Sequence, residues 1–274
     1  MSQSNPMSRS NPMSRSNPAN PANPANPRSL LSTAAAAAAR QPLWMSDMKS
    51  EGRGKKSEGR GKKEEVEIFT LFPSFHLPLS PSPSNTLVIA GVDEVGRGAL
   101  FGPVVAAACI LPDEVLDELA SCGVRDSKQL SAAARSRLAV KIRAVAVDCQ
   151  IGVASVREID RLNILQASLL AMKRAILKLK VTPDLCLVDG NQRIPNLAIE
   201  QETMIKGDAR SIQIAAASIV AKVWRDELIL RLAVKYPEYD LTNNKGYGTA
   251  KHKLGLERYG RSAFHRQSFS PCRR

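Results

Sequence analysis

The sequence has 274 residues, 39 Lys and Arg against 26 Asp and Glu, and a formal net charge of +13; 43% of it is hydrophobic but only 4% aromatic. The longest purely apolar stretches, such as Val104–Leu111, are too short to span a bilayer. Five scattered cysteines (Cys109, Cys122, Cys149, Cys186, Cys272) with no C-x-x-C pair and only three histidines argue against zinc, and an odd count without a secretory signal fits a reducing compartment.

Residues 1–84 read as a low-complexity extension. NPMSRS occurs twice, at Asn5–Ser10 and Asn11–Ser16, NPA runs three times to Ala25, and SEGRGKK occurs at Ser50–Lys56 and Ser57–Lys63. None of these repeats has the length or apolar periodicity of a structural repeat, and such segments bury too little to offset the entropy of ordering. No acidic residue precedes Asp47, while Arg9, Arg15, Arg28 and Arg40 are spaced among Ser, Asn, Pro and Ala. That is the pattern of a chloroplast or mitochondrial transit peptide; a plain extension of a cytoplasmic protein is the competing reading. Pro73, Pro78, Pro81 and Pro83 keep the approach to the first strand extended.

Residues 85–274 are long enough for one sizeable core. They hold 28 Lys and Arg against 20 Asp and Glu, a surplus of +8. This suits a phosphate-rich partner, although many soluble proteins are basic without one. Leu87–Val92 and Pro103–Leu111 read as a hairpin of buried strands around a glycine-studded turn. Ser131–Val147 reads as a helix capped by Ser131, and Cys149–Val153 as a third strand. Apolar residues from Ile159 to Leu179 keep helical spacing, which predicts one helix over Glu158–Lys180 stopped by Pro183. Leu185–Val188 is a short strand ending in Asp189-Gly190, Glu202–Ile205 is another, and a long helix runs from about Ser211 to Lys235, before Pro237. Strands first and then β-α-β-α give an α/β domain with a mixed sheet.

Several carboxylates sit where scaffold alone does not require them. Asp93 and Glu94 follow LVIAGV and precede Gly96-Arg97-Gly98; Asp189 ends the strand LCLV; Asp208 lies just ahead of a helix N-terminus. Ligand sites of open α/β sheets gather at the carboxyl ends of strands. Two carboxylates about 4 Å apart repel by about 4 kcal/mol at an effective dielectric near 20, so such a cluster needs raised pKa values or divalent cations. Oxygen-only ligands favour magnesium or manganese. Each acid has a plainer reading: a turn former for Asp189, a helix cap for Asp208, an ion-pair partner for Asp226.

At this point the residues resemble a known family. DEVGRGALFGPV at Asp93–Val104 is similar to the signature of bacterial-type ribonuclease HII. So are RDSKQLS at Arg125–Ser131, VDGN at Val188–Asn191 and KGD at Lys206–Asp208. AAASIVAKVWRD at Ala215–Asp226, NKGYGTAKH at Asn244–His252 and HRQSFSP at His265–Pro271 complete seven blocks in the family's order. The resemblance runs from about Leu87 to Pro271 and leaves the first 84 residues without a counterpart. The sister type HIII enzymes carry an N-terminal substrate-binding domain, and nothing of that pattern is visible in the tail, which points to HII.

The resemblance implies a ribonuclease H-like fold, a mixed sheet flanked by helices with a helical C-terminal extension. It implies cleavage of the RNA strand of RNA–DNA hybrids and nicking 5′ of ribonucleotides embedded in duplex DNA, by a monomer. It carries the four catalytic, metal-binding acids onto Asp93, Glu94, Asp189 and Asp208, holding Mg2+ or Mn2+. Two such ions activate a water and stabilise the departing 3′ oxygen, leaving 5′-phosphate and 3′-hydroxyl ends. Gly96, Arg97 and Gly98 are placed to meet the 2′-hydroxyl, since glycines let backbone amides approach a sugar. Tyr247 is placed against the sugar at the RNA-to-DNA junction. Lys128, Ser218 and Lys222 are candidate phosphate contacts, the last two sharing a helix face at i and i+4; Lys245 and His252 are weaker ones. Two rival readings remain: another nuclease on the same fold, and a non-catalytic organellar nucleic-acid-binding protein.

Overall fold

The computed structural model describes residues 87–125 and 127–273. The tail repeats, the transit-peptide reading, the proline run before the first strand and Asp126 of the RDSKQLS block lie outside the described residues.

Strands β1 (Ile89–Val95), β2 (Val104–Ile110), β3 (Asp148–Ala154), β4 (Leu185–Asp189) and β5 (Glu200–Met204) form one sheet in the order β3-β2-β1-β4-β5. β2 runs antiparallel to β1 and to β3, whereas β1, β4 and β5 are mutually parallel. The expected mixed sheet is therefore present. Every residue of β2 is buried, because both faces of the sheet are covered. Ala106, Ala108 and Ile110 face one side, against the helix Ile164–Leu177. Ala107 and Cys109 face the other, against the helix Ile212–Lys235. With so few aromatics the layers approach closely on small residues. A side chain at Gly91 would collide with the backbone of Gln213 and Ile214, and one at Gly152 with that of Ala171 and Ala175.

The helices are α1 (Leu116–Ser121), α2 (Ala132–Val145), α3 (Val156–Leu162), α4 (Ile164–Leu177), α5 (Ile212–Lys235), α6 (Leu241–Asn244) and α7 (Ala250–Tyr259). Ser131 caps α2 and Ser211 caps α5 as their side-chain oxygens accept from the amides of Ala134 and Ile214. The helix expected over Glu158–Lys180 is two helices. Asn163, at φ 75°, breaks it and accepts from Gln166 N–H to start α4, and a capping box of Ser155 and Glu158 starts α3. Arg174 of α4 then clamps Glu158 at 2.7 and 2.9 Å. The apolar spacing hides this break because both helices bury the same side. The short helix α1 gives no comparable signal and was not expected. The helices α6 and α7 form the expected helical C-terminal part.

Candidate active site

The ladder between β1 and β2 does not stop at Val92: Asp93 opposes Ala107 and Glu94 opposes Ala106. The acid pair thus lies inside the strand rather than after it, on rigid backbone. Val92 pairs with Val188 of parallel β4, so Asp93 and Asp189 stand level at the carboxyl ends of neighbouring strands. Asp208 comes from the 3-10 turn Gly207–Ala209, just before α5. A β-carbon at Gly207 would displace the Ile214 terminal methyl and crowd the Asp189 carboxylate, and the Gly207 amide donates to Asp189 Oδ1 at 2.7 Å.

Electrostatics tie the four acids into one site. Burial pushes the Asp93 carboxyl well above its usual range, and the charges of Glu94 and Asp189 push it further. Burial also raises Glu94, with Arg97 opposing and Asp189 adding. Asp189 is raised by burial, with Gly207 N–H opposing and Asp208 adding. Two cations stand at the rim: Arg97 Nη1 is 3.3 Å from Glu94 Oε1, and Lys128 Nζ is 3.5 Å from Asp208 Oδ2. Among the described residues no three His, Cys, Asp or Glu side chains converge on a single point. Three of the carboxyls are held by different partners: Glu94 by Arg97, Asp189 by Gly207 and Asp208 by Lys128.

Ser218, expected on a phosphate, is buried beneath Asp93. Its hydroxyl is hydrogen-bonded to the Asp93 carboxylate and lies 2.9 Å from Ser127 Oγ, also buried. One turn along α5, Lys222 Nζ is bound to both oxygens of Asp226 at 2.6 and 2.8 Å. Asp226 is thus an ion-pair partner, with Lys222 rather than its neighbour Arg225.

Beside the acids lies a second assembly. The loop Gly96–Gly102 meets the Tyr247 loop through Leu100 N–H and Phe101 N–H, both donating to the Gly246 carbonyl, and Ala99 bridges Tyr247. Gly98 faces the Tyr247 ring. Two wholly buried arginines brace the loop by its carbonyls. Arg225 donates to Phe101, Pro103 and Lys245; Arg266 donates to Gly96, Arg97 and Gly102. Gly96, at φ 91°, leaves the space that the Arg225 side chain fills. Burial lowers the pKa of Arg225, and that of Arg266 to about 9 with Arg225 adding. His252 is fully buried rather than open to a phosphate, and the Lys245 ammonium donates to the Thr242 carbonyl. Sequence reasoning assigned no site role to Ser127, Arg225, His265 or Arg266, although all four lie inside the motif blocks.

A family profile described as ribonuclease HII matches residues 90–272. Ribonuclease HII of Trichodesmium erythraeum is 72% identical over 183 residues, covering 67% of this chain and 87% of the relative. That of Trichormus variabilis is 59% identical over 197 residues, covering 72% and 88%. Among solved structures, ribonuclease H2 of Pyrococcus horikoshii superposes with a TM-score of 0.58 at 27% identity, covering 67% of this chain and 94% of that one. A type HIII enzyme solved in complex with Mn2+ shares the fold, with a TM-score of 0.55 at 20% identity, covering 77% and 78%. Profile, identity and fold agree: the chain belongs to the ribonuclease HII family.

Proposed function

We propose that the chain is an endoribonuclease that hydrolyses the RNA strand of RNA–DNA hybrids and nicks duplex DNA on the 5′ side of embedded ribonucleotides. The observation that carries this reading is the adjacency of two parts. Asp93 and Asp189 stand level on parallel strands with Glu94 and Asp208 beside them, and the Gly96–Gly98 backbone lies next to them, faced by Tyr247.

The four acids fit divalent cations by chemistry. All donors are carboxylate oxygens, which suits Mg2+ or Mn2+, and three of the carboxyls resist ionisation where they stand. Asp93, Glu94, Asp189 and Asp208 would hold the metal. Bound there, divalent cations would supply a water of lowered pKa and charge stabilisation at the departing 3′ oxygen. The protein's part is positional. The strand ends fix the carboxyls, the Gly96–Gly98 amides meet the 2′-hydroxyl, and Tyr247 stacks against the sugar at the RNA-to-DNA junction. Lys128, beside Asp208, is placed for a phosphate, and Arg97 for the scissile region.

Residues 1–84 serve in this reading as a transit peptide and linker ahead of a catalytic domain over residues 85–274. The organisms of the relatives above are cyanobacteria, which favours the chloroplast over the mitochondrion. The catalytic domain acts as a monomer, and among the described residues no helix is long and apolar enough to cross a membrane.

The decisive assay gives the protein a labelled DNA duplex holding one ribonucleotide, with Mg2+, with Mn2+ and with EDTA. Metal-dependent nicking 5′ of the ribonucleotide, absent from an all-DNA control, is the expected result. Cleavage indifferent to the 2′-hydroxyl would instead indicate another nuclease on this fold. No cleavage of either duplex or of a long hybrid would indicate a binding protein.

A further inference from the structure

HRQSFSP at His265–Pro271 is a motif block for which the proposed function assigns no role. Its backbone is fixed on two sides. Gly102 N–H donates to the Phe264 carbonyl and Arg266 N–H to the Leu100 carbonyl, while the Asp160 carboxylate of α3 accepts from the amides of Gln267 and Ser268 and the Ser268 hydroxyl. This anchoring drives the His265 ring into the protein, where Phe101 and Tyr239 pack edge-on against it at 5.0 and 4.5 Å between ring centres.

The His265 ring lies in a hydrogen-bonded chain whose protons are fixed by its ends. Ser262 N–H points at His265 Nδ1 at 3.0 Å, and an amide can only donate, so Nδ1 carries no proton. His252 Nδ1 lies 2.9 Å from the Tyr247 carbonyl, which can only accept, so that Nδ1 carries one. The two Nε2 atoms lie 3.0 Å apart, and the remaining proton must sit on His265 Nε2 and be accepted by His252 Nε2. Each ring is neutral and both of its nitrogens are used. A second proton on either ring would set two N–H groups against each other or against Ser262 N–H. Both rings are fully buried, and the burial holds both imidazoles below the usual range, His265 at about 3.

We infer that His265, acting through His252, is a positioning residue for Tyr247: the chain from the C-terminal segment holds the Tyr247 carbonyl and so sets the ring against Gly98. The inference rests on the reading of Tyr247 as the group that senses the junction. The ring nitrogens of His252 and His265 bond to the Tyr247 carbonyl, to each other and to Ser262, none of them one of the four acids. Arg225, with its guanidinium carbon 5.7 Å from the Tyr247 ring centre and its bond to the Lys245 carbonyl, supports the same loop from the other side.

The test uses the full chain and two substrates, a DNA duplex with one ribonucleotide and a continuous RNA–DNA hybrid. His265→Phe and His252→Phe keep ring bulk but break the chain. His252→Asn keeps an amide N–H where ring Nδ1 donates to Tyr247 but loses the contact to His265, so it separates the direct bond to the loop from the support that His265 gives it. Ile176→Ala, in the core on the far face of the sheet, is the control for lost stability alone. The expected result is that both phenylalanine variants and His252→Asn lose about tenfold or more of the single-ribonucleotide to hybrid activity ratio, while Ile176→Ala keeps the wild-type ratio. A wild-type ratio in His265→Phe or in His252→Asn, or equal loss in the Ile176→Ala control, overturns the inference. A readout independent of activity and of variant folding is long-range imidazole NMR of the wild type, which has only three histidines. It should show His265 protonated at Nε2 and His252 at Nδ1; any other tautomer pair overturns the chain. Should the wild type itself show no preference for the ribonucleotide duplex over all-DNA, the functional reading fails instead, and the tautomers still report whether the chain exists.

Discussion

Asp93 lies beside Asp189 because Val92 pairs with Val188 across two parallel strands. That register places two buried carboxyls together at a cost the fold must carry. Both are pushed upward in pKa, chiefly by burial. A carboxyl whose folded pKa exceeds its unfolded one binds its proton better when folded, so stability is lost as pH rises above the unfolded value.

Asp93→Asn should therefore do two things at once. It should abolish cleavage while leaving hybrid binding, and it should raise the melting temperature at pH 7 measured without metal, by about 2–4 °C for each kcal/mol relieved. Addition of Mg2+ or Mn2+ should stabilise the wild type and have much less effect on the variant. Robust cleavage by Asp93→Asn would remove the carboxylate chemistry; a lowered melting temperature would show that Asp93 stabilises the fold rather than straining it.

Ser218 separates two roles that sequence alone could not. On a phosphate it would contribute to substrate binding; beneath Asp93 it donates to the carboxylate and opposes the rise in its pKa. Ser218→Ala removes that donor and leaves Ser127 without its buried partner. The expected result is a shift of the acid limb of the pH–rate profile to higher pH, with KM little changed and a loss of roughly 1–3 kcal/mol of stability from the unsatisfied hydroxyl. A raised KM with an unmoved pH profile would return Ser218 to the phosphate role.

Much of this was legible in the sequence because it is periodic or local. The buried strands, helix α2 with its Ser131 cap, the long helix α5 and the acids at strand ends follow from apolar runs and cap chemistry, although α5 is capped by Ser211 and not by Asp208. What stayed hidden is non-local. The break at Asn163 leaves the apolar stripe intact and shows only in a positive φ. Arg225 and Arg266 drew no expected role, since a guanidinium satisfied by backbone carbonyls leaves no trace in spacing. Lys222 and Ser218 share a helix face as expected, yet Asp226 claims the one and Asp93 the other. The motif blocks marked these residues, but only the structure assigns them neighbours.

Arg266 holds three carbonyls of the glycine loop, at 2.7, 2.7 and 3.0 Å, with no carboxylate among these partners. Arg266→Lys keeps a charge but offers a compact ammonium that cannot span Gly96, Arg97 and Gly102 together. The orphaned buried carbonyls should cost roughly 3 kcal/mol, a fall of about 6–12 °C in melting temperature. Because those carbonyls belong to Gly96–Gly102, discrimination against all-DNA duplex should also weaken. Wild-type stability in Arg266→Lys would show that water replaces the guanidinium.

The buried histidines contribute to the response to acid. The His265 imidazole is held down to about 3, against an ordinary value near 6.5, by burial with His252 adding. An imidazole with a lowered folded pKa takes its proton more readily when unfolded. Its contribution to stability is whole above about pH 6.5 and is lost as the pH falls towards 3, by up to about 1.4 kcal/mol per pH unit. The buried carboxyls act in the opposite sense, gaining stability as they protonate, so the histidine effect is read as a difference between proteins. Urea unfolding of the wild type and His265→Phe at pH 7 and pH 5 should show the wild type losing about 2 kcal/mol more than the variant. Parallel loss in both proteins would place the acid sensitivity elsewhere and leave His265 accessible to a proton in the folded state.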